Sequence, residues 1–278
     1  MKKILLSLST ILLLVFTACK KDPKPPVIEP VPVPISTDDT ARVLLKSIAA
    51  TNLPNPYFHF KYDAGKYVTD INFADGFELY QASYENKKLK KLTNIRNNNV
   101  MNYKYNNGLV RSIVEISGVS NRKIWNYAFE YNSNNQLVLV KWYFFPANSN
   151  DSILDRKVVL SYHTDGNLAS MDDYRSDQND QLQWSSTHTY GSYDDGTNVD
   201  DFAMIKDFMG TLVYLPSVKL QKNNPRNELI IGTQNDFRIT YSYQYSNKLP
   251  QRKTGTMVQT RGGGTGQPFI FTEQFTYY

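Results

Sequence analysis

From about residue 58 onward, apolar and polar positions alternate with a period of two, the pattern of strands with one buried face. One unit recurs: an aromatic residue, a spacer, Tyr, a polar turn, then Leu or Ile in alternation. It reads Phe60-Lys61-Tyr62-Asp63-Ala64-Gly65, then Val68 and Ile71; Tyr84-Glu85-Asn86, then Leu89 and Leu92; and Tyr103-Lys104-Tyr105-Asn106-Asn107-Gly108-Leu109, then Ile113. It returns at Phe129-Glu130-Tyr131-Asn132, at Tyr162-His163-Thr164-Asp165-Gly166, at Tyr241 to Leu249, and as half a unit at Phe275-Thr276-Tyr277-Tyr278. Each copy predicts strand, turn, strand, because Asn107-Gly108 and Asp165-Gly166 supply the positive φ of tight hairpins. The anchoring Tyr residues 62, 84, 105, 131 and 162 lie at widening intervals, so the units form a meander of lengthening hairpins and not a solenoid of fixed period. The predicted fold is therefore all-β: an antiparallel up-and-down meander forming a strongly curved sheet or barrel-like shell.

Two segments break the alternation and predict short helices. Thr37 or Asp38 can cap the first, with Val43, Leu44, Ile48 and Ala49 as its apolar stripe. The second, Asn198 to Met209, sets Val199, Phe202, Ile205 and Phe208 at helical spacing before Gly210 and is placed to plug or cover one end of the sheet.

The N-terminus reads as an address. Lys2 and Lys3 precede the apolar run Ile4 to Phe16, which is short for a bilayer span but has the length of a signal-peptide core. The run ends in Phe16-Thr17-Ala18-Cys19 before the polar Lys20-Lys21-Asp22. Small residues before a lone Cys resemble a bacterial lipobox, with Phe16 departing from the usual aliphatic residue. That resemblance implies a cleaved leader over 1–18, a mature chain beginning at an acylated (palmitate-bearing) Cys19, and a membrane contact made by lipid. Pro23, Pro25, Pro26, Pro30, Pro32 and Pro34 make Asp22 to Ile35 an extended spacer reaching roughly 40 Å, within a lipidated-Cys and linker segment over residues 19–36. A single β-meander domain is expected over 37–278.

Composition narrows the function classes. The hydrophobic share of 41%, with 20 Tyr, 14 Phe and 3 Trp, is enough for a buried core. One Cys excludes an intramolecular disulfide and any multi-Cys zinc site. Losing Lys2 and Lys3 with the leader lowers the formal charge from +5 to +3, without the clustered basic face that nucleic acid requires.

The copies quoted above resemble the YD-type repeats of bacterial surface proteins. The whole arrangement is similar to a family of uncharacterised Bacteroidota cell-envelope lipoproteins described as having a porin-like fold. The carrying features are the Phe-Thr-Ala-Cys start, the Asn/Tyr-rich units, the stretch from Leu212-Val213-Tyr214-Leu215-Pro216 to Lys222-Asn223-Asn224-Pro225, and the Tyr241 to Tyr245 hairpin, where Asn247-Lys248 replaces the usual Gly. The resemblance implies fold and an outer-membrane or cell-surface location; it brings no activity.

Candidate chemistry is thin. No nucleophile elbow, zinc-protease or Walker motif occurs, so no catalytic, cofactor or metal residues are assigned. The glycines of Arg261 to Gly266 lack the Lys-Ser/Thr and helix of a phosphate cradle and read as a hairpin loop. The acidic pairs Asp172-Asp173, Asp194-Asp195 and Asp200-Asp201, with Asp177 and Asp180, miss calcium-loop spacing and read as solvated or capping carboxylates. His163 and His188 lie on predicted strands. Among the aromatics, Trp142 and Trp184 are the candidates for stacking on a sugar ring, against a role as core. The expectation is a non-enzymatic envelope lipoprotein acting as a ligand-binding or scaffolding module for a glycan or protein partner. Its alternatives are a polysaccharide hydrolase and an outer-membrane-embedded barrel, the latter opposed by Lys87, Lys88, Lys90 and Lys91 on one strand and by Arg111 and Glu115 on another.

Overall fold

The computed structural model describes residues 43–147, 149, 151–206 and 212–278. It holds a closed barrel of sixteen antiparallel strands in chain order. These are β1 (Leu45–Ala50), β2 (Phe58–Tyr62), β3 (Val68–Phe73), β4 (Glu78–Glu85), β5 (Lys88–Asn94), β6 (Val100–Asn106), β7 (Leu109–Ile116) and β8 (Lys123–Tyr131). They continue as β9 (Leu137–Phe144), β10 (Ile153–Tyr162), β11 (Leu168–Ser176), β12 (Leu182–Gly191), β13 (Asn227–Gly232), β14 (Asp236–Ser246), β15 (Leu249–Arg261) and β16 (Pro268–Tyr277). The seam joins β1 to β16, with Ile48 opposite Phe275. Closure leaves no open edge.

The repeated unit has a structural reason. The hairpins built from the repeated unit carry a one-residue bulge just after the returning strand begins: Lys90, Arg111, Val138 and Ala169 are such extra residues. The residue before each bulge offers its carbonyl to the unit Tyr of the next hairpin. Tyr84 donates to Val68 O at 3.0 Å, Tyr105 to Leu89 O at 2.9 Å, Tyr131 to Val110 O at 3.0 Å, and Tyr162 to Leu137 O at 2.7 Å. Tyr193 reaches Leu168 O and Tyr277 reaches Pro250 O in the same way. The Tyr of the sequence unit is thus a rim ladder that satisfies backbone acceptors. Asn247-Lys248 keeps the left-handed φ values, 49° and 64°, that Asn107-Gly108 has at 49° and 82°.

The first predicted helix is corrected. Of its residues, 37–42 lie outside the described ones, and Leu45–Ala50 is strand β1, with Ile48 inward and Ser47 bonded to Thr276. Pairing with both β2 and β16 outweighs the local helical spacing. The second is corrected to one 3-10 turn, Asp201–Ala203; Phe208 and Met209 lie outside the described residues. Here tertiary bonds set the backbone. The Asp201 carboxylate accepts Leu220 N–H at 2.7 Å and Gln221 N–H at 3.2 Å, while Asn198 Oδ1 accepts Asp201 N–H at 3.0 Å.

The described residues of the connection from β12 to β13, 192–206 and 212–226, fold into the lumen. Its Ile205, Leu212, Val213, Leu215 and Leu220 pack in one core with inward Phe58, Phe60, Ile71, Leu92, Ile113, Phe129 and Val140. Tyr103 donates to Tyr214 O, and Arg156 to Ile205 O. A barrel of sixteen strands ordinarily encloses a water-filled channel; this connection fills it as a plug.

The outer wall carries charged and polar residues with scattered apolar ones (Val159, Leu229 and Ile270 are exposed), and the inner face is mainly apolar with a few buried charges. Lys88, Lys90 and Lys91 of β5 and Arg238, Thr240, Ser242 and Gln244 of β14 are exposed, and Lys141 pairs outside with Glu130. Glu115, expected to oppose a lipid face, is instead inward and buried, bonded by Tyr127 and Asn99. Arg111 is the bulge residue of its strand.

Candidate functional site

Between the plug and the inner wall of β12–β16 lies a cavity of about 250 Å³. Strand register builds its polar side. On β12, Tyr190 and His188 point inward at i and i+2, and Tyr190 stands opposite Glu228 of β13. On β14, Tyr241 and Tyr243 share that face; Tyr243 stands opposite Lys253 of β15, and Lys253 opposite Glu273 of β16. The plug adds Asn198, Asp200 and Gln221, and Ile48, Phe58, Met171, Ala203 and Met204 form the apolar side.

Two charge clusters meet there. His188 Nδ1 lies 2.8 Å from Glu228 Oε1, and Tyr241 donates its hydroxyl to Glu228 Oε2. Lys253 Nζ lies 2.9 Å from Asp200 Oδ2, 3.2 Å from Glu273 Oε2, and 5.1 Å from the centre of the Tyr241 ring. Burial alone would lower the ammonium pKa of Lys253, but Asp200 and Glu273 beside it hold it well above its usual value. Burial likewise works against the Asp200 carboxylate, yet Lys253 wins and keeps it low. Glu273 goes the other way, raised by burial and then by the charge on Asp200. The two carboxyls therefore share one ammonium, with Asp200 ionised first. Glu273 Oε2 is buried and, although near Lys253, is out of line for a hydrogen bond and has no such partner among the described residues. Tyr57 also lines the cavity; its hydroxyl is raised by burial and by Glu273.

Cys19 lies outside the described residues. Trp142 is 7% exposed and held in the core, with the Arg156 guanidinium 4.6 Å from its ring centre and Tyr127 edge-on. Trp184 is 37% exposed on the outer wall, its Nε1 donating to Thr187 Oγ1. The two are not brought together, and neither lines the cavity. His163 Nε2 meets Tyr190 O, whereas His188 belongs to the cavity. Of the acidic pairs, Asp173 receives Arg156 through both carboxylate oxygens, Asp194 pairs with Arg226, and Asp195 pairs with Lys248 on the surface. Asp172 accepts from Thr187. The glycines after Arg261 join β15 to β16.

Sequence reasoning missed Tyr57, Asp200, Glu228, Lys253 and Glu273 as a group. A signal was present for one: Phe271-x-Glu273-x-Phe275 sets a carboxylate on the inward parity between two aromatics. The pairing of distant strands that completes the group leaves no local trace.

No protein-family model and no curated protein matches the sequence. Among solved structures, the chain is similar to a porin-like protein from Bacteroides vulgatus (TM-score 0.58, 11% identity, covering 85% of this chain and 99% of that one). It is also similar to a porin-like protein from Bacteroides uniformis (TM-score 0.54, 13% identity, covering 80% and 89%). The likeness is one of fold.

Proposed function

We propose that this protein is a non-enzymatic cell-envelope lipoprotein whose barrel stands in water and serves as a binding module. Acyl chains on Cys19 hold it to the outer membrane or cell surface, the Pro-rich linker lifts the barrel clear, and the half-plugged lumen receives a partner molecule. The observation that carries this reading is the polarity of the wall. A bilayer-spanning barrel needs an outward apolar band and a polar lumen, and here Lys88, Lys91, Lys141 and Arg238 face outward while Phe60, Leu92 and Phe129 face inward. The fold likeness to porin-like proteins of two Bacteroides species supports an envelope address.

The test is fractionation. Cys19→Ser is expected to move the protein from the membrane to the soluble fraction, with loss of palmitate labelling, and the purified wild type is expected to add no conductance to planar bilayers. Membrane retention of Cys19→Ser, or ion conductance, overturns the reading.

A hydrolase is the second reading, favoured by one observation: the carboxyls of Asp200, Glu228 and Glu273 line a single cavity. Product release from a glycan panel, abolished by Glu228→Gln, is what it requires.

A further inference from the structure

The cavity carries more than the general idea of binding. Its ionised groups are already balanced against one another: Lys253 by Asp200, with Glu273 alongside, and Glu228 against His188 and Tyr241. An incoming anion meets three carboxyl groups. An incoming cation competes with Lys253 for the carboxylates and for the face of Tyr241 that the ammonium already occupies. A neutral molecule suffers neither conflict.

Polar capacity nonetheless remains. Glu273 Oε2 is buried 3.2 Å from Lys253 Nζ, an ion pair that leaves the oxygen without a hydrogen bond among the described residues. His188 uses Nδ1 on Glu228, and Nε2 takes no partner among the described residues. Tyr57 makes no side-chain hydrogen bond among them either; its ring packs edge-on against Phe58 and Phe73. An acceptor, a ring nitrogen and a hydroxyl thus line one cavity together with Ile48, Phe58, Met171 and Met204. Polar groups with spare hydrogen-bonding capacity beside apolar ones suit a ligand bearing both hydroxyls and C–H surface.

Resting on the binding reading above, we propose that the lumenal cavity takes a small, neutral, polyhydroxylated ring of monosaccharide size, its hydroxyls meeting Glu273, His188 and Tyr57 and its apolar face lying against the Met171–Met204 side. Pyranose rings have this amphipathic character: hydroxyl edges and C–H faces that pack on apolar and aromatic surfaces.

The experiment uses the full-length protein in detergent and three probes of one shape: methyl β-glucopyranoside (neutral), glucuronate (anion) and glucosamine (cation), titrated by calorimetry and by saturation-transfer NMR up to about 10 mM. The neutral probe is expected to bind at one site and to outbind both charged probes. Tyr57→Phe removes a hydroxyl that makes no hydrogen bond among the described residues, so folding should be retained and affinity should fall roughly fivefold. Trp184→Ala, on the outer wall, should leave affinity unchanged. Preference for a charged probe overturns the neutral-ring assignment while leaving a binding cavity in place. Absence of binding by all three probes overturns both the assignment and the binding role. Binding that is lost in Trp184→Ala but indifferent to Tyr57→Phe moves the site off the cavity and overturns the proposal.

Discussion

Tyr131 donates its hydroxyl to the carbonyl of Val110, 3.0 Å away on the returning strand of the preceding hairpin, just before the bulge at Arg111. The bulge takes that carbonyl out of the ladder, and the phenol puts it back into a hydrogen bond. Burial raises the Tyr131 pKa, so the group stays a donor across the whole physiological range. Tyr131→Phe is expected to cost about 1 kcal/mol, read from a chemical-denaturation midpoint. Tyr174→Phe, on the outer wall, serves as the comparison and should cost less.

Arg156 and Asp173 form the most buried ion pair described, at 2.8 and 3.0 Å, with the same guanidinium holding Ile205 O of the plug at 3.0 Å and lying over Trp142. Arg156→Ala leaves a buried carboxylate paired with the half-exposed Arg175 and releases the plug backbone. The expected loss is about 3 kcal/mol. Replacing both partners, Arg156→Met with Asp173→Leu, should recover part of it. Denaturation of both variants checks the ordering.

Glu115 is buried, and burial raises its pKa, opposed in part by Tyr127 and Asn99. The sign follows from linkage. A carboxyl with a folded pKa above its unfolded one binds protons more tightly when folded, so its contribution is full below pH 4.5 and is lost as pH rises through the folded value. Glu115→Gln should therefore flatten the fall in Tm expected of the wild type as pH rises above 4.5. An unchanged slope in the variant contradicts this.

Gly255 stands where a Cβ would come within 2.2 Å of the Phe271 ring. The absent side chain lets Phe271 lie across β15. Gly255→Ala should destabilise by about 1–3 kcal/mol, and the loss should shrink in combination with Phe271→Ala. A double-mutant cycle by thermal melting gives the coupling.

Much of the barrel was legible because its determinants are local. The repeated unit fixes strand, turn and strand locally, and its alternation picked out Phe60, Ile113 and Phe129, all of which face inward. What escaped is non-local. Leu45–Ala50 has a helical stripe that becomes strand only because β16 supplies Phe275 opposite Ile48, at the far end of the chain. The segment from Asn198 carries helical spacing, but Asp201 spends its carboxylate on Leu220 and Gln221 N–H groups. Trp142 read as core or stacking platform alike; Arg156, on the neighbouring strand, takes its face.

The Ile48–Phe275 seam also dictates an order of events. A ribosome finishes β1 long before β16 exists, so for nearly the whole of synthesis the growing sheet has two bare borders, each able to recruit a stranger. The ring snaps shut only on the final stretch of sequence. A chain cut short of Phe275 would thus be left as an unsealed ribbon, prone to aggregate, and not as a slightly smaller barrel.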